Sequence, residues 1–311
     1  MKTAFLFPGQ GAQTVGMGKD IYDSYPEARE IFEKAEQISG IKVKDLCFYA
    51  PEEELKKTEN AQIAILTNSL AMLEVLKKHG FEAEVAVGLS LGEYAALIYG
   101  GYISFEDGIK LIQKRGYYMG NFLPDEKFSM YAVIGLESSI IEDVCANVRA
   151  SGKFVVPANY NCRLQTVITA NSEAVDIAIE QLKQAGAKRV VKLQTSGPFH
   201  TEKLAKASKL FEEELKQVKF KDGNGVKVIR NIDGEFYSSQ DDFQQILANH
   251  IVSPVRFDKA ISVMKQEGIT DFIEIGPGRT LTSFVKKDFP EANIHNINDV
   301  KTMQDMINRE E

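Results

Sequence analysis

The chain has 311 residues, and 44% of them are hydrophobic, which is enough for a large domain, a smaller one and a sizeable buried core. The 37 lysines and arginines against 44 aspartates and glutamates give a net charge of −7, so nothing in the composition suggests nucleic-acid binding, which calls for a basic surface. The three cysteines are far apart and form no CxxC pair, so we expect neither a disulfide framework nor a metal site, and a cytoplasmic location. The apolar N-terminal run is too short for a signal peptide or a membrane span, so no membrane is expected.

The first predicted element is an apolar strand, Thr3 to Phe7, which leads into a glycine-rich loop over residues 8–18. The pattern Gly9-x-Gly11-x-x-Thr14 lacks the third glycine of a dinucleotide-binding loop, which disfavours a nucleotide site. Two interpretations remain: the loop supplies backbone N–H groups to a catalytic site, or it is a flexible turn. Exposed helices are predicted over 25–38 and 51–57.

A longer helix is predicted over residues 60–80, because Ile63, Leu66 and Leu70 recur at helical spacing. His79 lies in its last turn, where a cation is favourable next to the helix dipole, so we assign it a structural role. Gln62 lies near the helix start and is unremarkable from the residues alone.

A second strand, Val85 to Val87, runs into Gly88-x-Ser90-x-Gly92 and then into an apolar helix. This is the pattern of a nucleophile elbow, in which a sharp turn from strand to helix exposes a serine hydroxyl. Glycines two positions to either side are needed because larger side chains would collide with neighbouring backbone. Since G-x-S-x-G also arises by chance in loops, it is the strand before and the helix after that favour a catalytic Ser90.

The next helix is predicted to begin at Ser104, a favourable N-cap followed by acidic residues. Arg115 lies in this helix, three residues after the apolar Ile112. Its residue type allows two interpretations, a solvated surface arginine or a buried guanidinium that binds a carboxylate through two hydrogen bonds.

A separate unit follows Pro124 and ends near Gly197-Pro198. Its predicted order of elements is β-α-β-β-α-β, which is the ferredoxin-like pattern. We therefore expect a ferredoxin-like small domain over residues 126–197, inserted into a discontinuous α/β domain of residues 1–125 and 198–311. The predicted elements are strands over 128–136, 154–159, 165–170 and 189–194 and helices over 138–150 and 173–185.

His200 follows the last of these strands and a Gly-Pro turn, and precedes a helix predicted over 203–218. A serine nucleophile needs a general base, for which imidazole is suited at neutral pH. Three histidines follow Ser90 in the chain, and position favours His200 over His250, which ends a helix-like run, and over His295, which lies in a polar tail segment.

Strands alternate with helices in the rest of the chain, which predicts a parallel sheet. The predicted elements are a strand over 226–231, a helix over 257–266, a strand over 271–275 and a helix beginning near Thr280.

Eight motifs match one known family in order and in spacing. They are residues 7–13 (FPGQGAQ), 88–94 (GLSLGEY), 114–116 (KRG), 158–161 (ANYN), 165–168 (QTVI), 196–200 (SGPFH), 254–257 (PVRF) and 274–278 (EIGPG). On these motifs the whole chain resembles the malonyl-CoA:acyl carrier protein transacylases, in their bacterial stand-alone form.

The resemblance implies a hydrolase-like α/β domain with an inserted ferredoxin-like domain and an active site between them. Ser90 is then the nucleophile that carries the malonyl ester, His200 its base, and Arg115 the group that binds the malonyl carboxylate. The backbone N–H groups of Gln10 and Leu91 are expected to form the oxyanion hole. The family pattern also places three further residues at the substrate: Gln62, Asn159 and Gln165.

Two positions depart from the family pattern. Leu89 stands where a histidine often precedes the serine, at a position without a direct role. His250 stands where a glutamine is usual, and the backbone carbonyl of that residue is expected to orient the catalytic histidine. A carbonyl survives any substitution, but a second imidazole changes the electrostatics, which puts a side-chain role there in doubt. No carboxylate stands out as a third triad member.

The leading hypothesis is malonyl transfer from malonyl-CoA to the phosphopantetheine thiol of acyl carrier protein in fatty-acid synthesis. We expect a monomer without a cofactor or metal of its own. The alternatives are an acyltransferase that loads a polyketide-type assembly line, a serine esterase, and an inactive acyl-binding scaffold. Because acyl carrier proteins are acidic, docking needs a local basic patch, for which the sequence offers Lys188, Arg189, Lys286 and Lys287, residues that are equally typical of a solvated surface.

Overall fold

The computed structural model describes residues 2–195 and 197–309. The strands are β1 (Thr3–Phe7), β2 (Val85–Gly88), β3 (Phe128–Ile134), β4 (Val155–Cys162), β5 (Gln165–Asn171), β6 (Arg189–Lys192), β7 (Lys227–Val228), β8 (Val255–Arg256), β9 (Asp271–Ile275) and β10 (Asn293–Ile297). The helices are α1 (Lys19–Ser24), α2 (Pro26–Ser39), α3 (Val43–Phe48), α4 (Glu52–Leu55), α5 (Thr58–Lys78), α6 (Gly92–Tyr99), α7 (Phe105–Asn121), α8 (Ser138–Arg149), α9 (Val175–Gln184), α10 (Ala205–Leu215), α11 (Phe243–Val252), α12 (Phe257–Gln266), α13 (Thr280–Val285) and α14 (Val300–Ile307), with a 3₁₀ turn at Glu202–Leu204 before α10.

The larger unit contains a parallel sheet in the order β10-β9-β1-β2-β7. Strand β1 lies at its centre and is apolar because both faces are covered: Phe5 and Phe7 belong to one hydrophobic cluster, and Ala4 and Leu6 to the other. Side chains of a strand point alternately to opposite faces, so this division follows from the strand period. Because β1 and β2 pair in parallel, their carboxyl ends lie side by side at one edge of the sheet, which is where ligands bind in open α/β sheets.

Helices α5 and α7 pack against each other beside this edge and carry the polar residues of the site. Helix α5 is apolar on almost all sides because it is surrounded by protein, and most of its residues are buried. Helix α7 begins as predicted: the Ser104 side chain accepts a hydrogen bond from the Asp107 N–H.

The smaller unit is a sheet in the order β6-β3-β5-β4 with α8 and α9 as its two helices. These four strands pair antiparallel, and the predicted β-α-β-β-α-β sequence of elements is confirmed as the ferredoxin-like pattern. Strand β8, which belongs to the later part of the chain, pairs parallel with β4 and extends this sheet. The domain bounds at 126 and 197 remain a prediction.

Several elements differ from the sequence-based prediction. The strand expected over 226–231 is only β7, since the chain then forms a bridge from Ile229 to Phe236 and turns Asn231 towards the elbow. The segment around His295, interpreted as a polar tail, is the edge strand β10, in which only Ile297 is buried. Edge strands bury little, so their apolar alternation is weak. In the described residues, no helix is long and apolar enough to cross a membrane.

Candidate active site

The elbow between β2 and α6 has the tight geometry that its glycines predict. A Cβ at Gly88 would lie 1.9 Å from the backbone carbon of Gly92, and a Cβ at Gly92 would lie 2.2 Å from the Phe7 carbonyl oxygen. Ser90 itself has a φ of 55°, a left-handed conformation that is strained for a residue with a side chain. The turn is therefore held by its surroundings and projects the Ser90 hydroxyl beyond the sheet edge.

Asn231 is one of the groups that hold the elbow. Its Oδ1 accepts a hydrogen bond from the Ser90 N–H at 2.7 Å, and its Nδ2 donates to the Gly88 carbonyl at 2.7 Å. Because Asn231 is buried, both bonds form in a low-dielectric environment, where an unpaired amide would be costly. The side chain thus clamps the strained turn from both sides of the serine.

His200 lies within hydrogen-bond distance of this serine. The Ser90 Oγ lies 2.8 Å from His200 Nε2, and His200 Nδ1 lies 2.9 Å from the His250 carbonyl oxygen. Since a carbonyl only accepts, Nδ1 carries the proton, which leaves Nε2 free to accept the serine proton. His200 has a φ of 58°, and Ser90 and His200 are the two non-glycine residues with positive φ in the described part of the chain. Among the described non-glycine residues, the left-handed conformation is thus found at the two residues of the dyad.

The protonation state of His200 also suits a general base. Burial, together with the nearby His250 imidazole and Arg115 guanidinium, holds the pKa of His200 well below its ordinary value of 6.5. The ring is therefore neutral at neutral pH and ready to accept a proton.

His250 lies in the last turn of α11 and is 1% exposed. Its ring stacks on that of His200, with 4.9 Å between centroids and 30° between planes. His250 Nδ1 lies 2.8 Å from Glu93 Oε2, although this contact falls outside hydrogen-bond geometry. The predicted orienting role of the His250 carbonyl matches the hydrogen bond to His200.

Arg115 lies on the other side of the serine and is fully buried, so the interpretation as a solvated surface arginine is wrong. Its Nη2 donates to Ser90 Oγ at 3.0 Å, and its Nη1 donates to Gln62 Oε1 at 2.8 Å. The guanidinium also lies over the Tyr94 ring, 5.6 Å from its centroid. Within the described residues, Arg115 forms no ion pair with a carboxylate, and its Nε has no hydrogen-bond partner. Burial lowers its pKa, and the site thus contains a buried cation without a protein anion.

Two residues are predicted to supply backbone N–H groups to the oxyanion hole: Gln10, which lines the same cavity as Ser90, and Leu91, which follows Ser90 in the chain. Gln10 follows β1, and its side chain is turned away to donate to Thr58 Oγ1 at 3.2 Å. Leu91 immediately precedes the first residue of α6, where N–H groups are free of helical partners. Across the described chain, neither of these N–H groups donates to another protein group. They are thus free to bind an oxyanion, although the role stays a prediction.

A cavity of about 260 Å³ opens above Ser90 and lies between the edge of the parallel sheet and the small sheet. Met130, Ala132 and Val167 contribute an apolar wall from the small sheet. The cavity brings together most of the residues that the sequence singled out for the site, which are Gln10, Gln62, Ser90, Asn159, Gln165 and His200. A larger cavity of about 680 Å³ elsewhere contains none of them.

Comparison with known proteins identifies the family. The model of the acyl transferase domain matches residues 4–308. A malonyl CoA-acyl carrier protein transacylase of Bacillus subtilis is 40% identical over 286 residues, which cover 92% of this chain and 90% of that protein. A crystal structure of the same enzyme from Clostridium perfringens superposes with a TM-score of 0.94 at 38% identity and covers 99% of this chain and 97% of that chain. The chain belongs to the acyltransferase family, with the malonyl CoA-acyl carrier protein transacylases as relatives.

A third similar structure is a malonyl-transacylase in complex with a holo type II PKS acyl-carrier protein. It has a TM-score of 0.94 and 32% identity, and the match covers 99% of this chain and all of that chain. The fold of this acyltransferase, a parallel-sheet unit with a ferredoxin-like one, is therefore that of its relatives.

Sequence analysis missed two residues of the acyltransferase site, Asn231 and Glu93. Asn231 lies in an irregular segment after β7, and nothing in its local pattern marks it. Glu93 carried a signal, since it is a charged residue at the start of the apolar helix α6 and is 1% exposed. A carboxylate in such a position must be paired, which indicates a polar network. No cluster of metal-ligating side chains occurs in the described part of the chain.

Proposed function

We propose that this acyltransferase moves a malonyl group from malonyl-CoA to the phosphopantetheine thiol of acyl carrier protein through an ester on Ser90. The observation that carries the proposal is the buried Arg115, whose Nη2 lies 3.0 Å from the Ser90 Oγ. A buried cation is costly unless it is paired. The free carboxylate of a malonyl group attached to Ser90 supplies that partner, and the planar fork of arginine fits it with two hydrogen bonds.

The first half-reaction forms the ester. His200 Nε2 takes the proton from Ser90 Oγ, and the oxygen attacks the thioester carbonyl of malonyl-CoA. The tetrahedral oxyanion receives hydrogen bonds from the N–H groups of Gln10 and Leu91, which are fixed in place before the reaction. The carbon–sulfur bond then breaks, and the coenzyme A thiolate takes the proton from His200.

The second half-reaction reverses these roles. His200 removes the proton from the phosphopantetheine thiol, the thiolate attacks the Ser90 ester, and the serine oxygen leaves and regains its proton from His200. The His250 carbonyl accepts the Nδ1 proton and so fixes the His200 tautomer in both half-reactions. Neither half-reaction calls for a metal or a cofactor bound to this chain.

Selectivity for malonyl over acetyl follows from the same arginine. An acetyl group leaves the buried guanidinium without an anion, and sites built to bind a polar group strongly reject analogues that lack it. Gln62 holds Arg115 in place through Oε1. Asn159 and Gln165 line the cavity and are partly exposed, and we assign them to hydrogen bonds with the substrate.

The basic patch is the proposed docking surface for the acidic carrier protein. Arg189 is the first residue of the exposed edge strand β6 and Lys188 precedes it, while Lys286 and Lys287 follow α13. All four are exposed, and among the described residues none forms an ion pair with a carboxylate. Charge attraction at such a surface raises the association rate and weakens with salt, so salt-insensitive transfer kinetics contradict this surface.

A polyketide-type carrier is the second candidate partner, because a relative of this fold is solved in complex with one. A serine esterase is disfavoured by the unpaired Arg115, and an inactive scaffold by the Ser90–His200 hydrogen bond. We further propose a cytoplasmic monomer, which agrees with three free, buried cysteines.

The direct test is a transfer assay with purified holo acyl carrier protein and malonyl-CoA or acetyl-CoA, followed by mass spectrometry of the carrier. We expect malonyl-loaded fatty-acid carrier and little acetyl-loaded carrier. Transfer to a polyketide carrier alone supports the second candidate, hydrolysis without transfer supports the esterase, and no turnover at all contradicts the proposal.

A further inference from the structure

A buried carboxylate and a buried imidazole lie directly behind the catalytic dyad. Glu93 and His250 are each 1% exposed, and Glu93 Oε2 is 2.8 Å from His250 Nδ1. Glu93 Oε1 accepts hydrogen bonds from the Asn231 N–H at 2.9 Å and from the Tyr237 hydroxyl at 3.0 Å. An isolated buried carboxylate is very costly, and these two donors and the adjacent imidazole offset that cost.

This pair contacts both members of the dyad. His250 holds His200 in two ways, by ring stacking at 4.9 Å and by the carbonyl that accepts the Nδ1 proton. Glu93 reaches the elbow through Asn231, whose side chain bonds the Ser90 N–H. A single buried carboxylate therefore connects the nucleophile and its base.

In the described part of the chain, His250 is surrounded by a small number of titratable groups. Helix α11 has no charged residue besides His250. The 3₁₀ turn and α10, which pack on α11, bury Leu204, Ala207 and Phe211. Among the described residues, the other titratable groups that interact with this cluster are Glu93, Tyr94, Arg115 and Tyr237, with Arg230 next to Tyr237. The charged residues of the 3₁₀ turn and α10 are exposed or partly exposed: Glu202, Lys203, Lys206, Lys209, Glu212, Glu213 and Glu214.

We propose that Glu93 and His250 form a buried ion pair that positions His200, in place of the carboxylate of a Ser-His-Asp triad. The proposal rests on the proposed function only in that Ser90 and His200 form the reactive dyad. The imidazolium of His250 is the nearer of the two charges to His200, so the pair keeps the base neutral at mildly acidic pH, since a like charge disfavours a second proton. When His200 accepts the Ser90 proton at Nε2, its Nδ1–H stays bound to the His250 carbonyl and the ring keeps its orientation.

The test measures the rate at which a fluorophosphonate labels Ser90 as a function of pH, because this reaction needs the dyad but no malonyl group. The variants are His250→Gln and Glu93→Gln, and the control is His79→Gln, which changes an exposed histidine at the end of α5. Replacing His250 removes the like charge, and replacing Glu93 breaks the same ion pair from its other side. In both variants the acidic limb of the labelling profile therefore moves to higher pH, by about one pH unit for His250→Gln, while the control leaves it in place.

Melting curves show which variants fold. If only one of His250→Gln and Glu93→Gln folds, that variant alone still tests the ion pair. A limb that stays at the wild-type pH, or that moves to lower pH, overturns the proposal. Malonyl transfer is measured on the same preparations to separate the two ideas. A wild type that is labelled but transfers no malonyl contradicts the proposed function and leaves the ion pair to be judged by the limb alone.

Discussion

Replacing Arg115 with alanine is the most informative change at the substrate end of the site. Each hydrogen bond to a charged group contributes about 1.5–3 kcal/mol, and the fork offers two of them to a malonyl carboxylate. Because Arg115 is fully buried, solvent does not screen this interaction. The loss of about 3–6 kcal/mol corresponds to a fall of about 10²- to 10⁴-fold in kcat/KM for malonyl-CoA, at 1.4 kcal/mol per tenfold.

The same substitution has the opposite relative effect on acetyl-CoA. Acetyl leaves the wild-type guanidinium without an anion, whereas Arg115→Ala contains no cation that needs one, so acylation by acetyl-CoA is expected to match or exceed the wild-type rate. Arg115→Lys keeps the charge but loses the fork, and should lie between the two enzymes. Arg163→Ala, which removes an exposed arginine paired with Glu137, is the matched control and should leave both rates unchanged.

The assay is rapid-quench acylation of Ser90 followed by intact-protein mass spectrometry, with each acyl-CoA in turn. Circular dichroism melts establish that the variants are folded. An Arg115→Ala enzyme that retains the wild-type acylation rate with malonyl-CoA, or whose rates with malonyl-CoA and acetyl-CoA fall equally, contradicts the proposed binding of the malonyl carboxylate by Arg115.

The remaining predictions concern the base and the elbow. Because the pKa of His200 is held well below 6.5, the acylation rate should stay constant from pH 8 to below about 6.5. The unfolded chain takes up a proton on His200 at a higher pH than the folded chain does, so His200 contributes less stability as the pH falls below about 6.5. An acylation rate that drops by half at pH 6.5 contradicts the lowered pKa of His200. Gly92→Ala places a Cβ 2.2 Å from the Phe7 carbonyl oxygen and should abolish folding or acylation. The control is Gly152→Ala, whose Cβ has no atom within 4 Å, and it should lower the free energy of unfolding in urea by about 1 kcal/mol. Asn231→Ala removes two buried hydrogen bonds and should lower the free energy of unfolding by about 2–4 kcal/mol as well as the acylation rate; a wild-type rate in a folded variant shows that the clamp is dispensable.

Much of the fold was predictable because hydrophobic periodicity follows burial. Strand β1 was predicted with its observed bounds, since it is central and buried on both faces. The ferredoxin-like unit was predicted for a similar reason, because its helices α8 and α9 have clear apolar faces. Strands β8 and β10 were missed, since a two-residue strand and an exposed edge strand carry little periodic signal.

Some residues of the candidate site could be predicted from local sequence patterns and others could not. Ser90 was predictable because a strained turn demands glycines at fixed positions, and those are visible in the sequence. Arg115 was ambiguous without the family resemblance, because helical periodicity does not distinguish a buried guanidinium from a solvated one. Asn231 bonds to Ser90 across about 140 residues of chain, and Glu93 contacts His250 across 157 residues. Local sequence patterns do not predict contacts between segments so far apart.

The most direct test of the central claim is intact-protein mass spectrometry of wild type and Ser90→Ala after mixing with malonyl-CoA. We expect one malonyl adduct on the wild type, its absence from Ser90→Ala, and its discharge when holo acyl carrier protein is added. No adduct on the wild type, or an adduct that persists in Ser90→Ala, contradicts the assignment of Ser90 as the nucleophile that carries the acyl group.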